Sequence, residues 1–276
     1  MQDNYLTPAE IAQKCCDAGQ QRAQYKTAKQ LVLSIMSGIF VALACQGTNQ
    51  AVHTIESGAI AKMISGMLFP CALILIIITG SELFTGNCLM IVSCVKKRIT
   101  VRSMLKSWLV VYLGNFAGSL IIAVLIVNSG QLNFTNGALG GYTINIAVYK
   151  TTMGLTNAFI MGILCNILVC AAVWIAAAAK DITGKILAIL FPIWLFVASG
   201  FEHSIANMYY IPAGILAKSN EKWVSQALLS GVTQEQLASL NIESFLLNNL
   251  LPVTLGNMIG GIVVIGLVYC FVYLRN

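Results

Sequence analysis

The sequence predicts an all-α integral membrane protein with six transmembrane helices in two inverted three-helix repeats, the second and fifth helices broken. Of its 276 residues 58% are hydrophobic and only 9% charged, against about 25% charged in ordinary soluble domains. The apolar residues fall in long Leu/Ile/Val runs, which point to helices, because a membrane barrel would show short alternating segments. Two polar interruptions of those runs are alike: GSELFTGN at 80–87 and GFEHSIAN at 200–207 carry Gly, Glu and Asn at the same offsets, 120 residues apart. A titratable group at membrane depth costs roughly 2.5 kcal/mol or more, so it faces protein interior or a water-filled path. We read the two interruptions as the two halves of one permeation site.

Residues 1–29 are read as a cytoplasmic amphipathic helix. Thr7-Pro8-Ala9-Glu10 is a capping box with Pro at the first helical position, and from Ile11 to about Lys29 the helix is too polar for the bilayer core. It is expected to rest on the cytoplasmic surface or on a neighbouring subunit, as a plain entry helix or as part of a gate. The chain has no short apolar core with a small-residue cleavage site, so no cleavable signal peptide is expected.

The first repeat covers 30–128. Its first span, about 30–48, carries Ser37-Gly38, small residues that allow close helix contact. His53 follows in a short loop and reads as a solvated residue. The next run, about 60–95, exceeds the roughly 20 residues that cross hydrocarbon and must be interrupted. Gly80 and Gly86 bracket its polar cluster, which places a non-helical loop there, and the freed backbone needs partners that Ser81, Thr85 and Asn87 can supply. Lys96-Lys97-Arg98 marks the cytoplasmic exit. The third span, about 106–128, contains LGNFAG at 113–118, and the sixth, about 246–273, contains LGNMIG at 255–260. Three spans per repeat is an odd number, so the halves must be inverted, an arrangement that sets broken helices near the midplane.

Residues 129–151 are read as an outer connecting loop, rich in Gly, Asn and Thr and ending in Lys150, which serves either as a snorkelling anchor or as a charge at the pore mouth. The second repeat covers 152–276, with spans at about 152–178 and 184–212, the latter broken, before the sixth. Asn166 lies in apolar company in GILCNILVC and needs a partner, in a helix contact or along a pore.

The formal charge of +6 is topological rather than a sign of nucleic-acid binding. With the N-terminus inside, 12 of the 16 Lys and Arg fall on the cytoplasmic side, including Arg22 and Arg275, and only Lys62, Lys150, Lys218 and Lys222 on the other. That bias predicts two cytoplasmic termini. The nine cysteines form no CxxC pair and sit mostly in apolar runs, so they read as small buried side chains.

The stretches IITGSELFTG, GILCNILVCA and GFEHSIANMYYIPAG resemble the formate/nitrite transporter family along nearly the whole chain, with the overall likeness strongest to its hydrosulfide channel branch. Ala171, where Leu or Val is expected, is a small departure at a packing position. The resemblance implies an aquaporin-like six-span protomer with its own pore, assembled as a homopentamer in the bacterial cytoplasmic membrane. It implies His203 as the central pore histidine, Thr85 as its partner, Asn166 and Asn257 as polar neighbours, and Glu202 as the acid beside the histidine. Lys150 is implied as the charge of the outer vestibule. Phe69, Leu73 and Phe196 match an outer apolar constriction, and Leu83 and Val169 an inner one. The shared Gly80, Glu82, Gly86, Asn87, Gly200 and Asn207 read as scaffold for the two breaks.

An anion entering apolar rings loses hydration, but a weak acid can take a proton as desolvation raises its pKa and cross as a neutral molecule. The expected function is therefore a channel for small monovalent weak-acid anions, hydrosulfide first, then formate or nitrite. His203 either gives the proton, hydrogen-bonds the anion, or holds the broken helices together. A proton-coupled transporter of the same anions, or a neutral-solute pore, are the alternatives. No enzyme is expected, since HExxH and a P-loop are lacking, and no cofactor, metal or nucleic-acid partner.

Overall fold

The computed structural model describes residues 5–274; residues 1–4 and Arg275, counted above on the cytoplasmic side, lie outside the described residues. The helix Pro8–Ala23 opens on its capping box, the Thr7 hydroxyl accepting from the Glu10 N–H at 3.4 Å and the Glu10 carboxylate accepting from the Thr7 N–H at 2.7 Å. Its buried face of Ile11, Ala12, Cys15, Cys16 and Gly19 meets Leu89, Val92, Trp174 and Ile265. The helix thus packs on its own chain, ending six residues before the expected limit of Lys29. Burial pushes the Cys15 thiol up to about 12, which keeps it an inert packing group. Seven of the nine cysteines are buried, with Cys71 exposed and Cys94 between.

Among the described residues five helices are long and apolar enough to cross a membrane: Thr27–Val52, Gly58–Thr79, Val101–Asn128, Leu155–Ala178 and Ser244–Leu274. Two shorter apolar helices, Phe84–Val95 and Ile182–Ala198, accompany them. The second run breaks between Thr79 and Phe84, and the fifth between Ala198 and the helix Ser204–Ala217. Both breaks begin at a glycine in the left-handed region, Gly80 at φ +74° and Gly200 at φ +72°, where a side chain would be strained.

The long helices pair through glycine. Thr27–Val52 lies against Val101–Asn128, where a Cβ on Gly118 would collide with the Ile35 carbonyl; Leu155–Ala178 lies against the last span, where one on Gly260 would collide with the Ile163 carbonyl. Ile35 and Ile163 are 128 residues apart, Gly118 and Gly260 142. These are backbone contacts, made by the LGNxxG sequences and close enough that no larger residue fits.

Two expectations need correction. Residues 129–151 are not a loop: after short turns at Gln131–Asn133 and Thr135–Gly137 the chain forms the helix Ala138–Thr151, with Leu139, Ile144, Ala147 and Val148 buried. Gly140 and Gly141 gave the segment its loop-like composition, but they are needed because Trp223 and Gln226 of Glu221–Leu229 pack on them. His53 is not merely solvated. It ends Thr27–Val52, with Nδ1 2.9 Å from the Gln50 carbonyl oxygen and Nε2 2.8 Å from Thr135 Oγ1. The last span also departs from a plain α-helix, being π-helical over Ser244–Leu250 and Gly260–Leu267.

Candidate functional site

Each break is built around a buried glutamate. Glu82 is 3% exposed and Glu202 2%, and each is paired in the same way. Arg22 Nε lies 3.1 Å from Glu82 Oε1, and Lys150 Nζ lies 2.7 Å from Glu202 Oε1. Asn87 donates its amide to Glu82 Oε2 at 2.7 Å, and Asn207 to Glu202 Oε2 at 2.7 Å. The cations come from two helices, Pro8–Ala23 and Ala138–Thr151, at positions 128 residues apart. A buried carboxylate without such partners would carry a large desolvation cost.

The loop backbone is held by the asparagines of LGNxxG. Asn115 Nδ2 donates to the carbonyls of Ser34 and Glu82 at 2.8 and 2.9 Å, while its Oδ1 accepts from the Phe84 N–H at 2.9 Å. Asn257 does the same in the other half, donating to the carbonyls of Gly162 and Glu202 at 2.7 and 3.0 Å and accepting from the Ser204 N–H at 2.9 Å. Two of the peptide groups freed by each break, the Glu carbonyl and the N–H two residues on, are satisfied in this way, as a chain inside a membrane requires. Asn257, expected as a polar neighbour of the path, spends its amide on this clamp.

The two breaks meet at one hydrogen bond, His203 Nε2 to Thr85 Oγ1 at 2.9 Å. Both side chains are buried, at 4% and 0%. His203 also caps the helix Ser204–Ala217, its Nδ1 accepting from the Ala206 N–H at 3.1 Å. An acceptor Nδ1 leaves the ring proton on Nε2, so the ring donates to the Thr85 hydroxyl. The position that matches His203 at the 120-residue offset is Leu83, so histidine and threonine are not counterparts of one another.

Apolar side chains flank this pair. The rings of Phe69 and Phe196 stand edge to face with centroids 5.6 Å apart, and Phe196 lies 6.0 Å from the His203 ring. Phe69, Leu73 and Phe196 are buried in one cluster with Leu83 and Val169. A cavity of about 340 Å³ opens on one side, lined by Lys62, Phe69, Lys150, Phe196, Glu202 and His203. A smaller one of about 190 Å³ lies at the other break, lined by Arg22, Tyr25, Ile76, Gly80 and Glu82.

Asn166 makes helix contacts, donating to the carbonyls of Asn257 at 2.6 Å and Thr85 at 3.2 Å, while its buried Oδ1 has no protein partner. Gly86 of the scaffold set lies in the short helix Phe84–Asn87. Two residues of the site were missed in the sequence. Arg22 reads in the sequence only as a topological charge, although it stands 128 residues before Lys150. Asn249, wholly buried, binds Asn207 and the Lys150 carbonyl, and the buried-amide argument applied to Asn166 would have found it.

The formate/nitrite transporter family model matches residues 9–271. The formate channel FocA of Haemophilus influenzae is 41% identical over 270 residues, covering 95% of this chain and 92% of that protein. The formate channel FocA of Escherichia coli K12 is 36% identical over 277 residues, covering 98% and 95%. Among solved structures, a pentameric formate channel with formate bound superposes with a TM-score of 0.79 at 35% identity, over 90% of this chain and 98% of that one. An ion channel of the same family gives a TM-score of 0.81 at 29% identity, over 95% and 98%.

Proposed function

Because the chain belongs to the formate/nitrite transporter family, whose members are transporters and channels rather than enzymes, we propose that it is a membrane channel for small monovalent weak-acid anions. Formate leads the candidates, since the two FocA relatives, each covering nearly the whole chain, are named as formate channels. Hydrosulfide, favoured by the overall likeness of the sequence, and nitrite are the other two. The observation that carries this reading is the Thr85–His203 hydrogen bond set between the breaks and beneath the Phe69–Phe196 ring pair.

In this reading the halves are an inverted repeat of three spans each, supported by the Glu, Asn and cation contacts that recur in both. Lys150 then belongs to an outer vestibule and Arg22 to an inner one, with both termini in the cytoplasm and the chain in a bacterial cytoplasmic membrane. An anion drawn toward Lys150 meets Phe69, Leu73 and Phe196, where lost hydration favours its protonated, neutral form. The Nε2–H of His203, held by Thr85, presents a donor to whatever passes the rings; Leu83, Val169 and Asn166 line the inner part of the path. The pentamer of the solved relative supports a homopentamer in which each protomer has its own pore.

The test is flux through reconstituted protein with formate, hydrosulfide, nitrite and chloride compared side by side. Selective passage of the three weak-acid anions over chloride is expected, and equal passage of chloride would overturn the proposal. A proton-coupled transporter is the second reading, favoured by the titratable ring of His203 in the path. Uphill accumulation under an imposed proton gradient distinguishes it from a channel.

A further inference from the structure

Asn249 lies outside the two motifs that the halves share, at 200–207 and 255–260 in this half, yet it touches all three members of the Lys150 cluster. Its Nδ2 donates to the Lys150 carbonyl at 2.9 Å and lies 3.4 Å from Glu202 Oε2, while its Oδ1 accepts from Asn207 Nδ2 at 2.7 Å. The local helix geometry brings it there. Asn249 sits in the π-helical stretch Ser244–Leu250, where a wider turn shifts the faces of the helix, and it is buried while its neighbour Asn248 is exposed.

Among its described residues the other half has no such group. Val101–Asn128 is α-helical throughout, and its corresponding residues reach neither Arg22 nor the Glu82 carboxylate: Ser107 accepts from Gln30 Nε2 at 2.7 Å, and Trp108 Nε1 donates to the Asn87 carbonyl at 2.9 Å. Among the described residues the Glu82 carboxylate meets only Arg22 and Asn87. The Arg22 side chain is also the more exposed cation, 23% against 12% for Lys150.

We infer that Asn249 is a positioning residue: it holds the Lys150 backbone and the Glu202 carboxylate together, so that the Lys150–Glu202 pair is fixed whereas the Arg22–Glu82 pair lacks this restraint. Glu202 cannot turn away from Lys150 without giving up Asn207 and Asn249, and Lys150 cannot withdraw along its helix without breaking the bond at its own carbonyl. The inference rests on the reading of these clusters as the two vestibules of an anion path. Its consequence is directional, since solute entering from the Lys150 face meets a rigid charge and solute entering from the Arg22 face a looser one.

The test measures formate flux from each face in vesicles of defined orientation. N249A is expected to raise the half-saturating concentration at the Lys150 face about three- to tenfold, the fold-change of one net hydrogen bond. Since a passive path carries no net flux at equal concentrations, the maximal flux from the Lys150 face is expected to rise in the same proportion, while the maximal flux and half-saturating concentration at the Arg22 face stay within about twofold. N249D sets a second carboxylate against Lys150 and is expected to be worse than N249A, while E202Q/N249D, with a single carboxylate again, recovers; a purely structural role gives no such recovery. If N249A does not fold, N249D and the double variant, which keep a polar side chain there, carry the test. K150M separates the two ideas. No effect of K150M at either face overturns the vestibule reading itself, whereas an effect of K150M with none from N249A and N249D overturns the role of Asn249 alone.

Discussion

The imidazole Nε2 of His203 lies 2.9 Å from the hydroxyl of Thr85, so a single hydrogen bond joins two chain breaks 118 residues apart in sequence. With Nδ1 committed to the Ala206 N–H, Thr85 is the group that fixes where the ring proton points. T85V keeps the shape and removes the oxygen, leaving a buried donor unpaired at a cost of about 1–3 kcal/mol. We expect formate flux to fall by tenfold or more with the fold intact, and T85S to stay close to the parent. Flux assays with thermal unfolding of the purified protein check this; an unimpaired T85V channel would remove the Thr85 bond from the mechanism.

Arg22 is expected to matter more for stability than a helix-surface arginine would. Its removal leaves Glu82, 3% exposed, with Asn87 as its remaining partner. Breaking a buried pair by losing one partner costs about 3–5 kcal/mol, and the partial exposure of Arg22 places R22M at or below the lower end of that range. E82Q in the same chain removes the stranded charge, so R22M/E82Q should unfold at a higher temperature than R22M. Equal unfolding temperatures for R22M and R22M/E82Q would show that the stranded Glu82 charge costs nothing.

The glycine contacts make a sharp comparison. A methyl at Gly118 or Gly260 meets a carbonyl oxygen of the facing helix, whereas at Gly47 it meets nothing within 4 Å. Overpacking of a fitted contact costs about 1–3 kcal/mol, while Gly to Ala in a helix with free space gains up to about 1 kcal/mol. G118A and G260A are therefore expected to lower the unfolding temperature in detergent and G47A to leave it unchanged or raise it. Similar behaviour of all three would mean that the helices can separate without loss.

Much of this was legible in the sequence because membrane burial leaves polar residues few and conspicuous. The breaks at Gly80 and Gly200 and the LGNxxG pairing were visible from their repetition alone. The helix Ala138–Thr151 was not, because Gly140 and Gly141 look like loop residues until Trp223 is packed on them. Arg22 was hidden for a different reason. On a polar helix one cation resembles the next, and only its position relative to Glu82 distinguishes it. Asn249 depends on a π-helical turn, and no composition signal for that turn separates it from the α-helix around it.

The N-terminal capping box yields a pH dependence whose sign is fixed. Hydrogen bonds from the Thr7 hydroxyl and then the Thr7 N–H hold the Glu10 carboxyl below the usual carboxylate value. A carboxylate with a lowered folded-state pKa adds stability that is present above its unfolded pKa and lost as pH falls through the folded one. Acidification through that range should therefore lower the protection of the Thr7 and Glu10 amides relative to their intrinsic exchange rates at each pH, and E10Q, which keeps the bonding pattern without the charge, should abolish the dependence. Arg22 lies about 18 Å along the helix from Glu10, at 1.5 Å per residue, so fraying of the first turn is expected to leave formate flux unchanged. A parallel fall in flux would show that the whole helix leaves the bundle together, carrying Arg22 away from Glu82.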